Sequence, residues 1–195
     1  GTSNPRRNFS RPLLGTRTAM AEVKTPLPGW VQAWLVSTAV IQTWDASFIW
    51  LRPHTFPGGA LNLYWKPYSL YIDVDMRYKD MTDSFVMAVS LLNYVEVTLC
   101  LVLLYMNAKS SSRTVVATLV VQTMTFWKTV LYLLMYVPPM SDVAMLGTTN
   151  WMELLFLFII PNGLWVLIPA ATMWDMWGRA GLQGGTQTSR GKKGK

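Results

Sequence analysis

Five ionisable side chains sit inside or at the borders of stretches that otherwise read as lipid-soluble. Asp45 lies within 29–51, Glu96 within 84–107 and Lys128 within 114–137, while Glu153 and Asp175 bound the last apolar run. An ion near the middle of a bilayer costs about 2.5–3.5 kcal/mol or more, so such residues persist where they face a bundle interior, a partner or a cavity. The chain therefore reads as a small helical membrane protein with a polar site inside it.

Of the 195 residues, 51% are hydrophobic and only 14% are charged, against about 25% charged in soluble domains. Four runs match the ~20 residues of a helical span: about 30–51, 84–107, 114–137 and 151–174. Backbone polar groups in lipid must be satisfied within the segment, and the runs lack the alternation of a barrel. The expected fold is thus an all-α bundle of four transmembrane helices. The run from Trp30 is too long for a signal core and ends without a small-residue cleavage site. The flanks 1–28 and 178–195 are read as polar tails without regular structure.

Positive charge is concentrated at those flanks. Five basic residues stand against Glu22 in 1–28, five more lie in 178–195, and Lys109 and Arg113 fall in the short 108–113 connection. The loop 52–83 instead balances four basic residues with four acidic ones. The positive-inside rule then puts both termini and 108–113 in the cytoplasm, and the basic tails are anchors for anionic lipid rather than a nucleic-acid surface. Lone Cys100 and lone His54 read as a packing residue and a solvated loop residue. No Cys–His cluster or acidic repeat reads as a metal site. The aromatic-rich stretch 61–78 is expected at headgroup level, packed over the non-cytoplasmic mouth of the bundle.

At ~1.5 Å per residue, Glu96, Lys128, Asn162 and Trp165 share a level near the midplane, and Asp45 lies further from the cytoplasmic side. Asn93 precedes Glu96 by three residues and Gln42 precedes Asp45 by three, so each pair shares a helical face. Gln122, Thr123 and Thr125 add polar atoms. The expected result is one polar interior walled by Trp44, Trp127, Trp165 and Met124. Two readings stay open: a structural Glu96–Lys128 ion pair, or a ligand or catalytic pocket, with Lys128 itself read as structural. A protonated carboxyl in a dry site can donate a proton, and its conjugate base can remove one. Aromatic faces stabilise a cation. Such a pocket suits proton addition to, and loss from, an alkene lipid, and equally suits binding of an amphiphilic amine.

The runs Trp65-Lys66-Pro67-Tyr68, Asp75-Met76-Arg77-Tyr78 and Asn162-Gly163-Leu164-Trp165-Val166-Leu167-Ile168-Pro169, with Glu96 between them, resemble the emopamil-binding protein family, the EXPERA domain. The resemblance covers about residues 30–178. It implies a four- or five-helix endoplasmic reticulum protein that holds a sterol in its interior. The implied activity is the shift of a sterol double bond from C8 to C7 through a carbocation, without a cofactor. By that likeness Glu96 and Asp45 handle protons, Trp165 faces the cation and Asn162 orients a carboxyl. Tyr78, Asn93, Gln42, Lys128 and Trp127 complete the ligand-binding set. The isomerase's pocket histidine, one turn before its first-helix glutamate, is here Ile41, or Gln42 after a slide of one. A lysine paired with Glu96 would hold that carboxyl ionised. The non-catalytic sterol-binding and trafficking branch also places an aspartate at the Asp45 position but lacks the Asn-x-Leu-Trp run. The implied partners are a sterol or related polycyclic lipid, amphiphilic amines and membrane lipid, with a homodimer left open. Lys192 and Lys193, fourth and third from the end, match a dilysine retrieval signal.

Overall fold

The computed structural model describes residues 27–140 and 145–192, the side chains of 182–192 excepted. The expected N-terminal tail falls outside these residues up to position 26, as do Lys193 and Lys195 of the basic end. Four rods carry the fold. They are α1 (Gly29–Trp50), α4 (Ser84–Ala108), α5 (Thr114–Leu134) and a composite rod of α6 (Trp151–Glu153), a π-helical stretch (Leu154–Ile159) and α7 (Ile160–Lys192). Between α1 and α4 lies a cap made of a 3₁₀ turn (Asn62–Trp65), α2 (Tyr68–Val74) and α3 (Met76–Lys79). Among the described residues there is no strand, only an isolated antiparallel bridge between Asp75 and Leu146.

Three helices are long and apolar enough to cross a bilayer: Ser84–Ala108, Thr114–Leu134 and Trp151–Gly181. The chain is an all-α membrane bundle. The fourth expected span, α1, has the length, 22 residues, but not the hydropathy, because Gln32, Gln42, Asp45 and four tryptophans dilute its aliphatic content. The last helix also outruns the expected boundary at 178 and continues to Lys192. Met176 is fully buried, Ala180 packs on the same apolar cluster, and Arg179 Nε meets Asp175 Oδ1 at 2.9 Å one turn earlier. These contacts hold helix where glycine-rich composition argued for coil.

The burial pattern is polar inside and apolar outside. Thr38 and Gln42 on α1, Ser90, Asn93 and Glu96 on α4, Thr118, Gln122, Thr125 and Thr129 on α5, and Thr172 on α7 are all buried. Val36, Val40, Leu91, Leu92, Val95, Val116, Val120, Leu164 and Leu167 are exposed. The α5 threonines donate to carbonyls of their own helix, Thr118 to Thr114, Thr125 to Val121 and Thr129 to Thr125. They therefore need no partner and let a neighbour approach closely. α5 packs along α7, α1 along α4, and an α4–α5 contact joins the two pairs.

Two apolar clusters sit at opposite ends. One gathers Leu27, Val31, Leu35, Cys100, Leu103, Val115 and Met176. The other gathers Phe48, Ile49, Trp65, Tyr68, Ile72, Val74, Tyr78 and Tyr132 under the cap. The aromatic-rich loop thus covers the bundle mouth, as its length led one to expect. Yet Trp65, Tyr68 and Tyr78 are buried rather than set among headgroups. Phe48 stacks on Tyr68 at 4.3 Å.

Asp75 locks the cap down. Its carboxylate accepts from the hydroxyls of Tyr132 and Tyr136, from Tyr71 Oη at 2.9 Å and from the Arg77 backbone N–H at 3.1 Å. Met76 N donates to Met145 O at 2.9 Å and Gly147 N to Val74 O at 2.9 Å. A Cβ at Gly147 would lie 2.2 Å from the Asp73 carbonyl oxygen, so only glycine fits this crossing. Arg77 pairs with Asp83 at 2.8 Å, and Asp83 also caps α4 through Val86 N at 2.9 Å.

Burial raises the Asp75 carboxyl above the ordinary aspartate range, the tyrosine and backbone hydrogen bonds opposing without overcoming it. The folded protein then keeps this proton in a window just above the usual value where the unfolded chain has lost it, so stability falls as pH rises through that window. Thermal unfolding in detergent from about pH 4 to pH 7 should show this decline, and Asp75→Asn should flatten it. Asp75→Ala, which strands buried hydroxyls at about 1–3 kcal/mol each, should lower the midpoint throughout. An unchanged midpoint in the alanine variant would show that the tyrosine cage carries no stability.

Candidate functional site

Between the two apolar clusters the helices place one continuous polar network. Lys128 Nζ on α5 meets Glu96 Oε2 on α4 at 2.6 Å, Glu96 buried and Lys128 nearly so, its side chain 12% exposed. Gln42 Nε2 on α1 donates to the other oxygen, Glu96 Oε1, at 2.9 Å. Lys128 Nζ also donates to Asn93 Oδ1. This fixes the Asn93 amide so that its Nδ2 points the other way and donates to Asp45 Oδ2 at 3.0 Å. Asp45 receives two more donors from the cap: Tyr68 Oη to Oδ1 at 2.6 Å and Tyr78 Oη to Oδ1 and Oδ2 at 3.0 and 3.1 Å. The chain of contacts runs Gln42, Glu96, Lys128, Asn93, Asp45, Tyr68 and Tyr78, and it ties α1, α4, α5 and the cap together.

Beside this network lies a cavity of about 300 Å³. α1 contributes Ile41, Gln42, Trp44 and Asp45. α4 contributes Val89 and Asn93, α5 Lys128, Thr129 and Tyr132, and the cap Pro67, Tyr68, Tyr71 and Tyr78. The far wall is the π-helical stretch and the start of α7, with Phe156, Leu157, Pro161, Asn162 and Trp165. Its rim holds Ile41, Trp44 and Phe156, exposed apolar side chains of the lipid-facing surface. A shallower groove of about 400 Å³ follows the same α1–α7 seam toward the start of α1, between Trp30, Trp34 and Ser37 on one side and Leu167 and Ala171 on the other. The Trp34 and Trp165 rings meet between the two, 5.1 Å apart, and Trp34 Nε1 donates to Gln122 Oε1 at 3.0 Å.

The π-helical wall has a local cause. Pro161 has no N–H to give the ladder, and Asn162 Nδ2 donates to Phe158 O at 2.9 Å. The register slips by one residue and turns Phe156 and Leu157 toward the cavity. Such π segments recur at functional sites.

The sequence-based candidates divide. Asp45, Trp165, Asn162, Tyr78, Asn93, Gln42 and Lys128 all line the one cavity. Glu96 does not. It stands behind the wall, 5% exposed, with both oxygens taken by Lys128 and Gln42. The expected acid is a counter-ion. Asn162 orients no carboxyl, because its amide N–H serves its own helix. Trp127, 61% exposed, and Met124, 49% exposed, face outward and are not part of the wall, since residues 124 and 127 fall on the α5 face opposite Thr125 and Thr129. Trp44 does line the cavity and donates to Tyr64 O at 3.0 Å. Glu153 stays at the start of its helix, exposed beside the Asn150 cap. Tyr68, Tyr71 and Tyr132 were missed as site residues. The signal for Tyr68 and Tyr71 was the tyrosine density of 64–78, which read as a headgroup anchor, and Tyr132 lies near the end of α5. No protein-family model, curated protein or solved structure matches the chain.

A structural ion pair and a catalytic carboxyl respond differently to substitution. Lys128→Met leaves the buried Glu96 carboxyl without its counter-ion and should cost about 3–5 kcal/mol of unfolding free energy. Adding Glu96→Gln should restore most of it, as read by denaturant unfolding in detergent. If the double variant is as unstable as the single one, the pair does not act as a neutralised unit.

Proposed function

We propose that this chain holds a sterol or triterpenoid in the cavity between α1 and α7 and shifts its double bond from C8 to C7 by protonation and deprotonation. The observation that carries the reading is the charge balance at the cavity. Two carboxyls, Asp45 and Glu96, stand against one ammonium, Lys128. The Lys128–Glu96 pair cancels, and Asp45 is left as the surplus acidic group on a wall whose other residues are aromatic, aliphatic or neutral polar apart from the paired Lys128. That arrangement complements a carbocation, with the Trp165 indole as a second, π-type stabiliser.

In this reading Asp45 takes both proton roles that the resemblance divides between two carboxyls. As the acid it adds a proton to one alkene carbon, and the electron pair of the C=C bond forms the new C–H bond, leaving a tertiary cation. The resulting carboxylate is stabilised by hydrogen bonds from Tyr68, Tyr78 and Asn93. A proton is then lost from the neighbouring carbon, and its C–H pair becomes the shifted double bond. One proton enters and one leaves, so no redox cofactor takes part. The cavity volume sits at the lower end of the ~300–1,000 Å³ of small-molecule pockets, enough for a flat ring system whose aliphatic tail extends past the lipid-facing rim. Basic residues in 1–28, 108–113 and 178–195 support an orientation with both termini cytoplasmic, and residence in the endoplasmic reticulum follows from the sterol reading.

A second reading, a sterol-binding or trafficking protein without chemistry, is favoured by the ion-paired state of Glu96 and by Ile41 and Gln42 at the place of the relay histidine. Expression in cells lacking their sterol isomerase separates the two. The first reading expects Δ7 sterols to return, and Asp45→Asn to cut the turnover of purified protein by about 10²–10⁴-fold while sterol binding stays within a few-fold. Saturable sterol binding without any Δ7 product would establish the second, and full turnover in the Asp45→Asn variant would remove Asp45 from the chemistry.

A further inference from the structure

Two cavity-lining residues each carry a buried side-chain polar atom without a hydrogen-bond partner among the described residues: Gln42 Oε1 on α1 and Trp165 Nε1 on α7. Both residues line the same cavity. Their chemistry is opposite, since an amide oxygen only accepts and an indole N–H only donates. The orientation of the Gln42 amide is fixed, because its other end faces a carboxylate oxygen, Glu96 Oε1 at 2.9 Å, and must be the nitrogen. Gln42 itself is 4% exposed. A buried indole N–H and a buried amide oxygen left empty are each costly in a low-dielectric interior, and nothing in the described residues answers them.

We infer that Gln42 Oε1 and Trp165 Nε1 form a hydroxyl-recognition subsite that anchors the ring hydroxyl of the lipid. A hydroxyl is the one common lipid group that donates to the first atom and accepts from the second at the same oxygen. A carbonyl could only accept, and an ammonium could only donate. The subsite rests on the sterol reading above and gives it an orientation. Gln42 and Asp45 are one turn apart on the same face, about 5–6 Å between Cβ atoms. A sterol anchored by its A-ring hydroxyl at Gln42 therefore lays its B ring, which carries the C8 double bond, beside Asp45. The Trp165 ring face remains available to the cation while its N–H edge holds the hydroxyl.

The test uses the full chain in detergent with three probes: a Δ8 3β-hydroxysterol, its 3-methyl ether, which can accept but not donate, and the 3-deoxy hydrocarbon, which can do neither. Affinities are read by competition against a radiolabelled Δ8 sterol. The wild type should bind the hydroxysterol on the order of tenfold or more tighter than the deoxy compound, with the ether between them. Trp165→Phe, which keeps an aromatic ring and removes the N–H, should erase the preference for the ether over the deoxy compound. Gln42→Met, which keeps the length and removes the acceptor, should erase the preference for the hydroxysterol over the ether. Equal affinity of the wild type for all three probes overturns the subsite while leaving sterol binding intact. Absence of saturable binding for every probe overturns the sterol reading itself, and the subsite with it.

Discussion

A bilayer interior offers a charged side chain no water, and the buried Lys128–Glu96 contact is where this bundle meets that constraint. Each ion alone would carry a penalty of several kcal/mol. Together, with Gln42 on one carboxylate oxygen and Asn93 on the ammonium, they link α1, α4 and α5 at a single level. The remaining rod is joined differently. α7 packs on the threonine stripe of α5, where hydroxyls are spent on their own helix. α1 packs on α4 and α7 on α5, so α1 and α7 are left to face each other across unfilled space. The cavity is a consequence of that pairing, and its polar floor is a consequence of the ion pair.

Asn93 converts the ion pair into a property of the site. Its oxygen accepts a hydrogen bond from Lys128 and its nitrogen donates one to Asp45, so the amide links the lysine to Asp45 without a direct contact between the two charges. Glu96 cancels that charge from behind. The arrangement keeps an acidic group facing a dry, aromatic wall while the rest of the interior stays neutral. A pocket with Lys128 unpaired would repel a cationic intermediate, and a pocket without Lys128 would bury two like charges one helix apart.

Much of this was legible in the chain. Asp45, Glu96 and Lys128 stand out because an ion in an apolar run demands a partner, and the rise of a helix per residue was enough to bring Glu96 and Lys128 to one depth. The i, i+3 spacings put Asn93 on the face of Glu96 and Gln42 on the face of Asp45, while the hydrogen bonds cross between helices, Gln42 to Glu96 and Asn93 to Asp45. Depth, however, says nothing about facing. Trp127 shares the level of Lys128 but projects to the opposite side, and Glu96 lies at the right height but behind the wall. The cap was the hardest part to read. A loop dense in tyrosine and tryptophan looks the same in sequence whether its rings lie among headgroups or close over a cavity. The difference lies in partners distant in the chain: Asp45 on α1, which collects the hydroxyls of Tyr68 and Tyr78, and Tyr132 and Tyr136, which reach Asp75. The π-helical wall was equally hidden, because Pro161 and Asn162 look like an ordinary helix start until the carbonyl they fail to serve, or do serve, is known.

The cap is therefore part of the site and not only a cover for it. Two of the three side chains that hydrogen-bond Asp45, Tyr68 and Tyr78, come from the cap. Tyr71, whose ring meets Tyr78 edge-on at 4.8 Å, gives its hydroxyl to Asp75. Asp75 in turn is held by Tyr132 and Tyr136 at the end of α5. The second aspartate thus fixes the elements that prepare the first. Asp45 is a fully furnished hydrogen-bond acceptor only when the cap is closed on α5, and a bundle that lost the Asp75 cage would keep its ion pair and its cavity walls while leaving Asp45 two donors short. Among the described residues those two tyrosine hydroxyls and the Asn93 amide are the side-chain groups in hydrogen-bond contact with Asp45, so the geometry of the cap sets how that carboxyl is held.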